Sequence, residues 1–547
     1  MRSEEAISRE CTRLLKVIGE SDVEFVRTTM GPEQEFFLID RGYYLSRPDL
    51  VAVGRTVIGA PPNKGQESEY HYFGAIDQRV LACLQELEIE LWKLGIPVKT
   101  RHNEVAPSQF EMAPIYEGSV IAADHNLLAM DVLREVAAKH GLACLLHEKP
   151  FSYVNGSGKH LNWSLETSKK ENLLEPGATP RDNQRFILFL AVILRAIHLH
   201  GEMLRAVIAV PGNTHRLGAN EAPPVIISAY LGSELDAACK SVMAADSSAA
   251  NGNAQNVLRL GVSNLPPLPR DPSDRNRTSP FAFTGNKFEF RACGSSQNIS
   301  FPITVVNSII SDSVRYFADE IEKRVASGTA RTQAINSLII EELKKHYAVV
   351  FNGNGYSEEW IHEAVKRGLP LLKTAPEALA VWDKPEALRI FKEQGVLSNV
   401  EASSRSLVLH EAFFETMLTE ARVMVDLAST RVTPATVNYQ RQLARSYNDA
   451  LAVLKDEKLF VNQKSALSSV TALLEKLIHS TNELREILHK AEADAKKGDF
   501  RKALSTWYEP VMGAMPKVRS VCDDLEQILS DDLWPLAKYS EIFLTSK

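Results

Sequence analysis

Residues 155–165, Asn155-Gly156-Ser157-Gly158-Lys159-His160-Leu161-Asn162-Trp163-Ser164-Leu165, run from a small-residue turn into strict alternation. Successive side chains of a strand point to opposite faces, so His160, Asn162 and Ser164 fall on one face and Leu161, Trp163 and Leu165 on the other. A solvated strand face gives the same stripe, and carboxylates elsewhere are what turn this one toward chemistry. Glu33 and Glu35 lie two apart in an aromatic and aliphatic run, 31–39, and so share a face of a predicted strand. Two carboxylates that close repel unless a cation sits between them. On an exposed edge they would be gatekeeping charges. Phe36, Phe37, Leu38 and Ile39 instead predict burial, and buried charges need a partner.

Three further segments carry charge in short extended pieces. In 101–114, Pro107 and Pro114 exclude a continuous helix, leaving Glu104 and Glu111 on two pieces joined by a turn. The bland reading is a polar loop with scattered acids. In 287–291, Lys287, Glu289 and Arg291 alternate with Phe288 and Phe290, as an ordinary amphipathic strand also would. Residues 215–224 read as a loop carrying Arg216 and Glu221.

Together these segments resemble the catalytic core of glutamine synthetases. The marks are G-P-E-x-E-F, H-N-E-V-A-P, N-G-S-G-K-H, R-x-x-x-x-E-A-P-P and E-F-R, in the family's order. The wording H-N-E-V-A-P-x-Q-x-E, L-L-H-E-K-P-F and D-R-N-R-T-S-P-F-A-F-T-G-N-K-F-E-F-R is similar to the large type III branch. The likeness runs from about Arg2 to the C-terminus and is densest over 31–302.

The resemblance implies an ATP-dependent ligase that joins ammonia to the γ-carboxylate of glutamate through a γ-glutamyl phosphate. It puts one Mg²⁺ or Mn²⁺ ion on Glu35, Glu104 and Glu111 and a second on Glu33, His160 and Glu289. Hard divalent cations prefer such oxygen-rich sets. It puts Arg216 on the glutamate carboxylate, and Arg277 and Arg291 near the transferred phosphoryl group, where a planar fork grips anions in a bidentate way. By the same likeness Asn155 and Gly156 contact glutamate, and Asn162, Ser164 and Lys287 lie on the nucleotide side. Glu221 matches a flap glutamate that closes over the intermediate and helps deprotonate ammonium, and Tyr72 is a candidate for the ammonium pocket. His102, two residues before Glu104, is placed on the nucleotide side.

Two departures stand out. Shorter family members keep a second arginine five positions after Arg277, where this chain has Ala282, a wording the type III branch shares. The family also carries a β-grasp domain before the G-x-E-x-E strand, and it supplies an aspartate to the neighbouring subunit's site. Only 30 residues precede Gly31 here, and 1–20 read as one amphipathic helix with Ile7, Cys11, Leu14, Leu15 and Ile18 on a face. The sequence therefore reads as a member begun late, expected to bind ATP and glutamate but to make glutamine poorly. A γ-glutamyl ligase with another amine acceptor, or a non-catalytic nucleotide-binding relic, are the alternatives.

The elements that must hold these residues follow from length and pattern. A chain of 547 residues buries a large core and divides into more than one unit. The expected organisation is a linker helix over 1–30, a catalytic core over 31–308, a helical segment over 309–400 and a helical bundle over 401–547. The fold class is α+β, a curved antiparallel sheet with flanking helices at 77–94, 122–140 and 181–207, plus a long helical C-terminal region. Residues 247–256 and the proline-rich 265–280 read as loops. In 466–495, Leu467, Val470, Leu474, Leu477, Thr481, Leu484, Leu488, Ala491 and Ala495 alternate spacings of three and four, a coiled-coil seam. Leu407, His410, Phe414, Met417, Ala421, Met424 and Ala428 repeat the pattern, and Val518, Val521, Leu525 and Ile528 give a shorter one. Intramolecular packing is the first reading of these seams and contact between copies the second.

Net charge of −7, with no basic run, argues against nucleic acid as a partner. Six scattered cysteines with no C-x-x-C argue for a reducing compartment and against structural zinc, so a cytoplasmic location is expected. The longest apolar run, 186–194, stops at Arg195 and is too short to span a bilayer, so no membrane is expected. The family likeness implies a homo-oligomer of stacked rings acting on glutamate and ammonium.

Overall fold

The computed structural model describes residues 1–218, 222–244 and 278–543, together with the strand pair at 257–258 and 268–269. Glu221 and Arg277, and most of the two expected loops, lie outside the described residues. Among the described residues the central sheet has nine strands: β1 (Val26–Asp40), β2 (Val98–Asn103), β3 (Gln109–Pro114), β4 (Glu117–Gly118), β5 (Leu142–Leu145), β6 (Gly158–Thr167), β7 (Ala229–Tyr230), β10 (Phe281–Phe283) and β11 (Phe288–Gly294). β8 (Val257–Leu258) and β9 (Leu268–Pro269) form a separate antiparallel pair, and β9 falls inside 265–280, which reads as loop in sequence. The main order is β2-β3-β1-β6-β11-β10-β7, with β4 and β5 also on β1. The sheet is antiparallel except at one end, where β7 runs parallel to β10. The purely antiparallel expectation misses that pair because two-residue β7 is set by chain return, not by side-chain pattern.

Alternation sorts the sheet into two faces. Leu161, Trp163, Leu165, Phe288 and Phe290 are all buried in one large core. The helices Arg2–Ile18, Gln184–Val207 and Ser300–Ala326 share that core. The first of these buries Ile7, Cys11, Leu14 and Leu15, the face its spacing predicts. Trp163 also donates from Nε1 to Asn307 Oδ1 at 3.0 Å, which satisfies its buried N–H. Phe36, Leu38 and Phe110 pack in a second cluster with helix Gln78–Lys93 and helix Ser119–Lys139.

Helix Gln184–Val207 runs well past the apolar stretch that ends at Arg195. Arg195 does not stop it, because its Nη1 donates to Ser313 Oγ at 3.0 Å and its guanidinium lies 3.9 Å from the Tyr316 ring centre. This is the one helix among the described residues long and apolar enough to cross a membrane, and 78% of its apolar window is buried inside the fold.

The C-terminal seams face one another over most of their length, while Leu407 and Ile528 at their ends are exposed. Helix Val461–Ala495 buries Val470, Leu474, Leu477, Thr481, Leu484, Leu488 and Ala491, while Leu467 and Ala495 are half-buried. It packs on helix Phe500–Ile528, which also packs on helix Asn399–Leu427. Ser398 and Glu401 start the last of these with a capping box. The end of this bundle grips 56–60. Arg519 donates to Thr56 O at 3.0 Å and to Gly59 O at 2.8 Å, Asp523 accepts from Gly59 N–H at 2.8 Å, and Glu526 from Ala60 N–H at 3.1 Å.

Burial pushes the Glu526 carboxyl up to about 7 from an ordinary 4.5, over the opposing Ala60 hydrogen bond and Arg47 charge. The folded state therefore holds this proton more tightly than the unfolded chain. Its contribution is complete below pH 4.5 and is lost as pH rises through 7. Glu526→Gln keeps an acceptor for Ala60 and removes the titration. It is expected to stabilise the fold by roughly 2 kcal/mol at pH 8 and to change little at pH 4.5. Melting temperatures at the two pH values check this, and equal curves at pH 8 refute it.

Candidate functional site

Strand register places the charged side chains. In β1–β6, Glu33 is paired with His160, Gly31 with Asn162 and Thr29 with Ser164. In β1–β3, Glu35 faces Glu111, and in β2–β3, Glu111 faces His102. In β6–β11, Asn162 faces Glu289. Directly paired residues of an antiparallel ladder point the same way. A row of carboxylates and imidazoles thus crosses five strands on one face of the sheet. Glu104 joins from the turn after β2, as its spacing from Glu111 implies.

This face floors a cavity of about 660 Å³. Glu33, Glu35, Glu104, Glu111, His160 and Glu289 all line it, as do Tyr72, Gly156, Asn162, Ser164, Arg216, Lys287 and Arg291. Asn155 does not. It is buried beside the cavity, where its N–H donates to Gln66 Oε1 at 2.7 Å and its Oδ1 accepts from Gln66 Nε2 at 2.9 Å. Gln66 is a residue that the sequence reading missed, and no local pattern marks it.

The groups are close enough to act on one another. His160 Nδ1 lies 3.0 Å from Glu33 Oε2 and 2.9 Å from Glu289 Oε1. Arg291 Nη2 donates to Glu289 Oε2 at 3.0 Å. His102 Nε2 lies 2.9 Å from Glu111 Oε1 and its Nδ1 3.6 Å from Glu104 Oε1. Ligand atoms of Glu33, Glu111 and His160 fall within 4.8 Å of one another, and so do those of His102, Glu104 and Glu111. His102 therefore stands inside the carboxylate cluster.

Crowding shows in the acidities. Burial lowers His160, but hydrogen bonds to Glu289 and Glu33 override it and hold the imidazole well above its ordinary value. The Glu111 hydrogen bond raises His102 against burial. Burial raises Glu111, with Glu33 and Glu35 adding to the rise. Burial opposes ionisation of Glu289 too, yet His160 and Arg291 keep its carboxyl well below the usual range. Glu111, His102 and His160 thus hold their protons more tightly than usual beside these carboxylates, which marks a site built to receive positive charge.

Arg216 enters differently from its sequence reading. It ends a helix, Pro211–Arg216, where a loop is expected over 215–224. Pro211 at the first turn presets the backbone for that helix. Asn213 anchors it by donating from Nδ2 to Ile208 O at 2.9 Å and Ala292 O at 3.0 Å. The Arg216 guanidinium donates to Cys293 O at 3.2 Å, and its buried Nε finds no partner among the described residues. The glycine turn closes over it. A Cβ on Gly158 would sit 2.1 Å from Arg216 Nη2, and one on Gly156 would sit 2.2 Å from Glu148 O. Gly158 N–H also donates to Glu35 Oε2 at 2.6 Å, tying the turn to the carboxylates. Gln109, also unassigned in sequence, donates to Gly156 O at 2.9 Å and Ser157 Oγ at 3.1 Å. On the far wall Ser164 Oγ donates to Asn172 Oδ1 at 2.7 Å, and Lys287 Nζ to Thr284 O at 3.2 Å.

The arrangement offers oxygen-rich cation positions beside two arginines, which suits phosphoryl transfer onto a carboxylate. Residues 10–227 match the family model described as "Glutamine synthetase, catalytic domain", and residues 334–450 match "Glutamine synthetase C-terminal domain". A "Type-3 glutamine synthetase" of Dictyostelium discoideum is 48% identical over 546 residues, covering 99% of this chain and 73% of that protein. A glutamine synthetase of Butyrivibrio fibrisolvens is 40% identical over 559 residues, covering 100% of this chain and 76% of that one. One from Bacteroides fragilis (strain YCH46) is 38% identical over 547 residues, covering 99% and 74%. With both domain matches in place and identity sustained along nearly its whole length, this chain belongs to the glutamine synthetase family, in its type III branch.

Proposed function

We propose that this chain makes glutamine from glutamate and ammonia, with ATP first phosphorylating the glutamate γ-carboxylate. The observation that carries the reading is the row of carboxylates and imidazoles across the cavity floor, with Arg216 and Arg291 in the same cavity. The donor set fits hard divalent cations, because it is mostly carboxylate and its protons are held where charge crowds. Glu35, Glu104 and Glu111 would hold one Mg²⁺ or Mn²⁺ ion, and Glu33, His160 and Glu289 the other. When bound, the ions neutralise phosphate charge and polarise the transferred group.

The chain's own residues do the positioning. Arg216 would grip a glutamate carboxylate at the end of its helix, with the glycine turn closed over its guanidinium. Arg291 would meet the oxygens of the moving phosphoryl group with its planar fork. Asn162, Ser164 and Lys287 would line the nucleotide side, and Tyr72 the amine side. Glu221 and Arg277 keep their roles from the family likeness, closure over the intermediate and a second cation at the phosphoryl group. Closure matters because an acyl phosphate exposed to water hydrolyses. The family's habit of assembling into rings extends the proposal to a cytoplasmic homo-oligomer.

The test is a product assay on the purified chain with ATP, Mg²⁺ and glutamate, offering ammonium or a polyamine. Glutamine and ADP are expected in equal amounts, and only with ammonium. Product with the polyamine alone would make the chain a γ-glutamyl ligase for another amine. No glutamate-dependent ADP with either amine would refute the ligase reading.

A further inference from the structure

The helix that carries Arg216 is six residues long, too short to hold its own geometry. Its orientation must come from what it touches. One contact comes from far along the chain. His215 Nε2 lies 3.1 Å from Glu420 Oε2, and Arg55 Nη1 donates to the same oxygen at 2.8 Å. Glu420 sits within helix Asn399–Leu427 and is 2% exposed. It falls outside the catalytic-domain match and inside the C-terminal one.

A buried carboxylate needs a partner, and Arg55, buried beside it, already supplies one. The bond to His215 is additional, and His215 is the neighbour of Arg216. Burial, with the Arg55 charge, lowers the His215 pKa, so at neutral pH the ring is uncharged and Nε2–H is the donor to Glu420. His147 and Arg519 are the other charged or titratable groups that act on this cluster, and Glu420 is the acceptor that fixes the tautomer. Shift this oxygen and the helix loses the tether next to Arg216, leaving Asn213 and Thr214 to hold it from the preceding positions.

We propose that Glu420 is a positioning residue: through His215 it sets the height and rotation of Arg216 in the cavity, so the C-terminal helices tune glutamate recognition. The inference rests on Arg216 gripping glutamate, as proposed above. A structural role would require only that the buried charges cancel. A positioning role requires the bond to His215 itself, and the two are separable.

Two variants separate them. His215→Leu leaves the Arg55–Glu420 pair intact and cuts only the link to the helix. Arg55→Met combined with Glu420→Leu replaces the buried pair by apolar groups, an exchange that commonly leaves stability intact. His215→Leu is expected to keep the wild-type melting temperature, whereas the double variant leaves the buried His215 N–H without its acceptor and is expected to melt somewhat lower. Both are expected to keep the ATP KM and to raise the glutamate KM roughly fivefold, the scale of one lost hydrogen bond. His215→Gln, which can still donate to Glu420, should return the glutamate KM toward wild type. An unchanged glutamate KM in His215→Leu, or equal rises in both KM values, overturns the proposal. The wild-type chain assayed in parallel keeps the two readings apart. An inactive wild type would count against the ligase reading, whereas an active wild type with an unmoved glutamate KM in His215→Leu defeats the role of Glu420 alone.

Discussion

Arg291→Lys is expected to leave the fold intact and to lower kcat for glutamine formation by roughly a hundredfold or more. Arg291 lies on β11, is 8% exposed, and shares its face with Glu289, to which it donates at 3.0 Å. Lysine keeps the charge and can still pair with Glu289, so the buried carboxylate is not abandoned. What lysine lacks is the planar fork that meets two oxygens of a phosphoryl group at once. The loss therefore falls on the step in which charge moves onto those oxygens, and not on assembly of the sheet. Acyl phosphate trapped as the hydroxamate, followed beside glutamine formation, reads that step directly. Wild-type rates of both, in a variant that melts normally, would take Arg291 out of the reaction.

The legible parts of this molecule are those in which side-chain period and chain neighbourhood decide the outcome. Alternation puts His160, Asn162 and Ser164 on one face of β6 and Leu161, Trp163 and Leu165 on the other, and the structure follows it. The same rule orients Glu33 and Glu35, and Glu289 and Arg291. The first helix and the C-terminal seams are read from spacings of three and four in the same way. What period does not encode is which distant segment comes alongside. His102 reads as a nucleotide-side residue because its neighbour in sequence is Glu104. Its neighbour in space, across the β2–β3 ladder, is Glu111. Asn155 reads as a ligand-facing residue, yet Gln66, 89 positions earlier, takes both its N–H and its Oδ1. No sequence pattern marks Glu420, and its contact with His215, 205 positions away, depends wholly on packing. The helix at Arg216 is missed for a related reason. Six residues carry too little pattern to announce a helix, and it persists because Asn213 and His215 are held from outside.

Gly158→Ala is expected to give a folded protein that uses glutamate poorly. The added Cβ would meet the Arg216 guanidinium, with Nη2 at 2.1 Å, Cζ at 2.5 Å and Nη1 at 2.8 Å. All three atoms belong to the end of one side chain, so the clash is relieved by moving that side chain and not the backbone. Arg216 is 3% exposed and held at Cys293 O, so it has little room to move without leaving its place in the cavity. A displacement of about 1 Å in a substrate-gripping group commonly costs on the order of a hundredfold in rate. Gly156→Ala provides the contrast. Its Cβ would meet the main-chain oxygen of Glu148 at 2.2 Å, so relief there must move backbone, and the fold itself should suffer. The expected pattern is a normal melting temperature with a sharply reduced kcat/KM for glutamate in Gly158→Ala, and a lowered melting temperature in Gly156→Ala. ATP KM should stay near wild type in Gly158→Ala, because Asn162 and Ser164, proposed for the nucleotide side, lie four and six residues further along β6. Wild-type kcat/KM for glutamate in a well-folded Gly158→Ala would mean that Arg216 can leave its observed place without cost. It would then be no anchor for the substrate, and the glutamate side of the cavity would have to be reassigned.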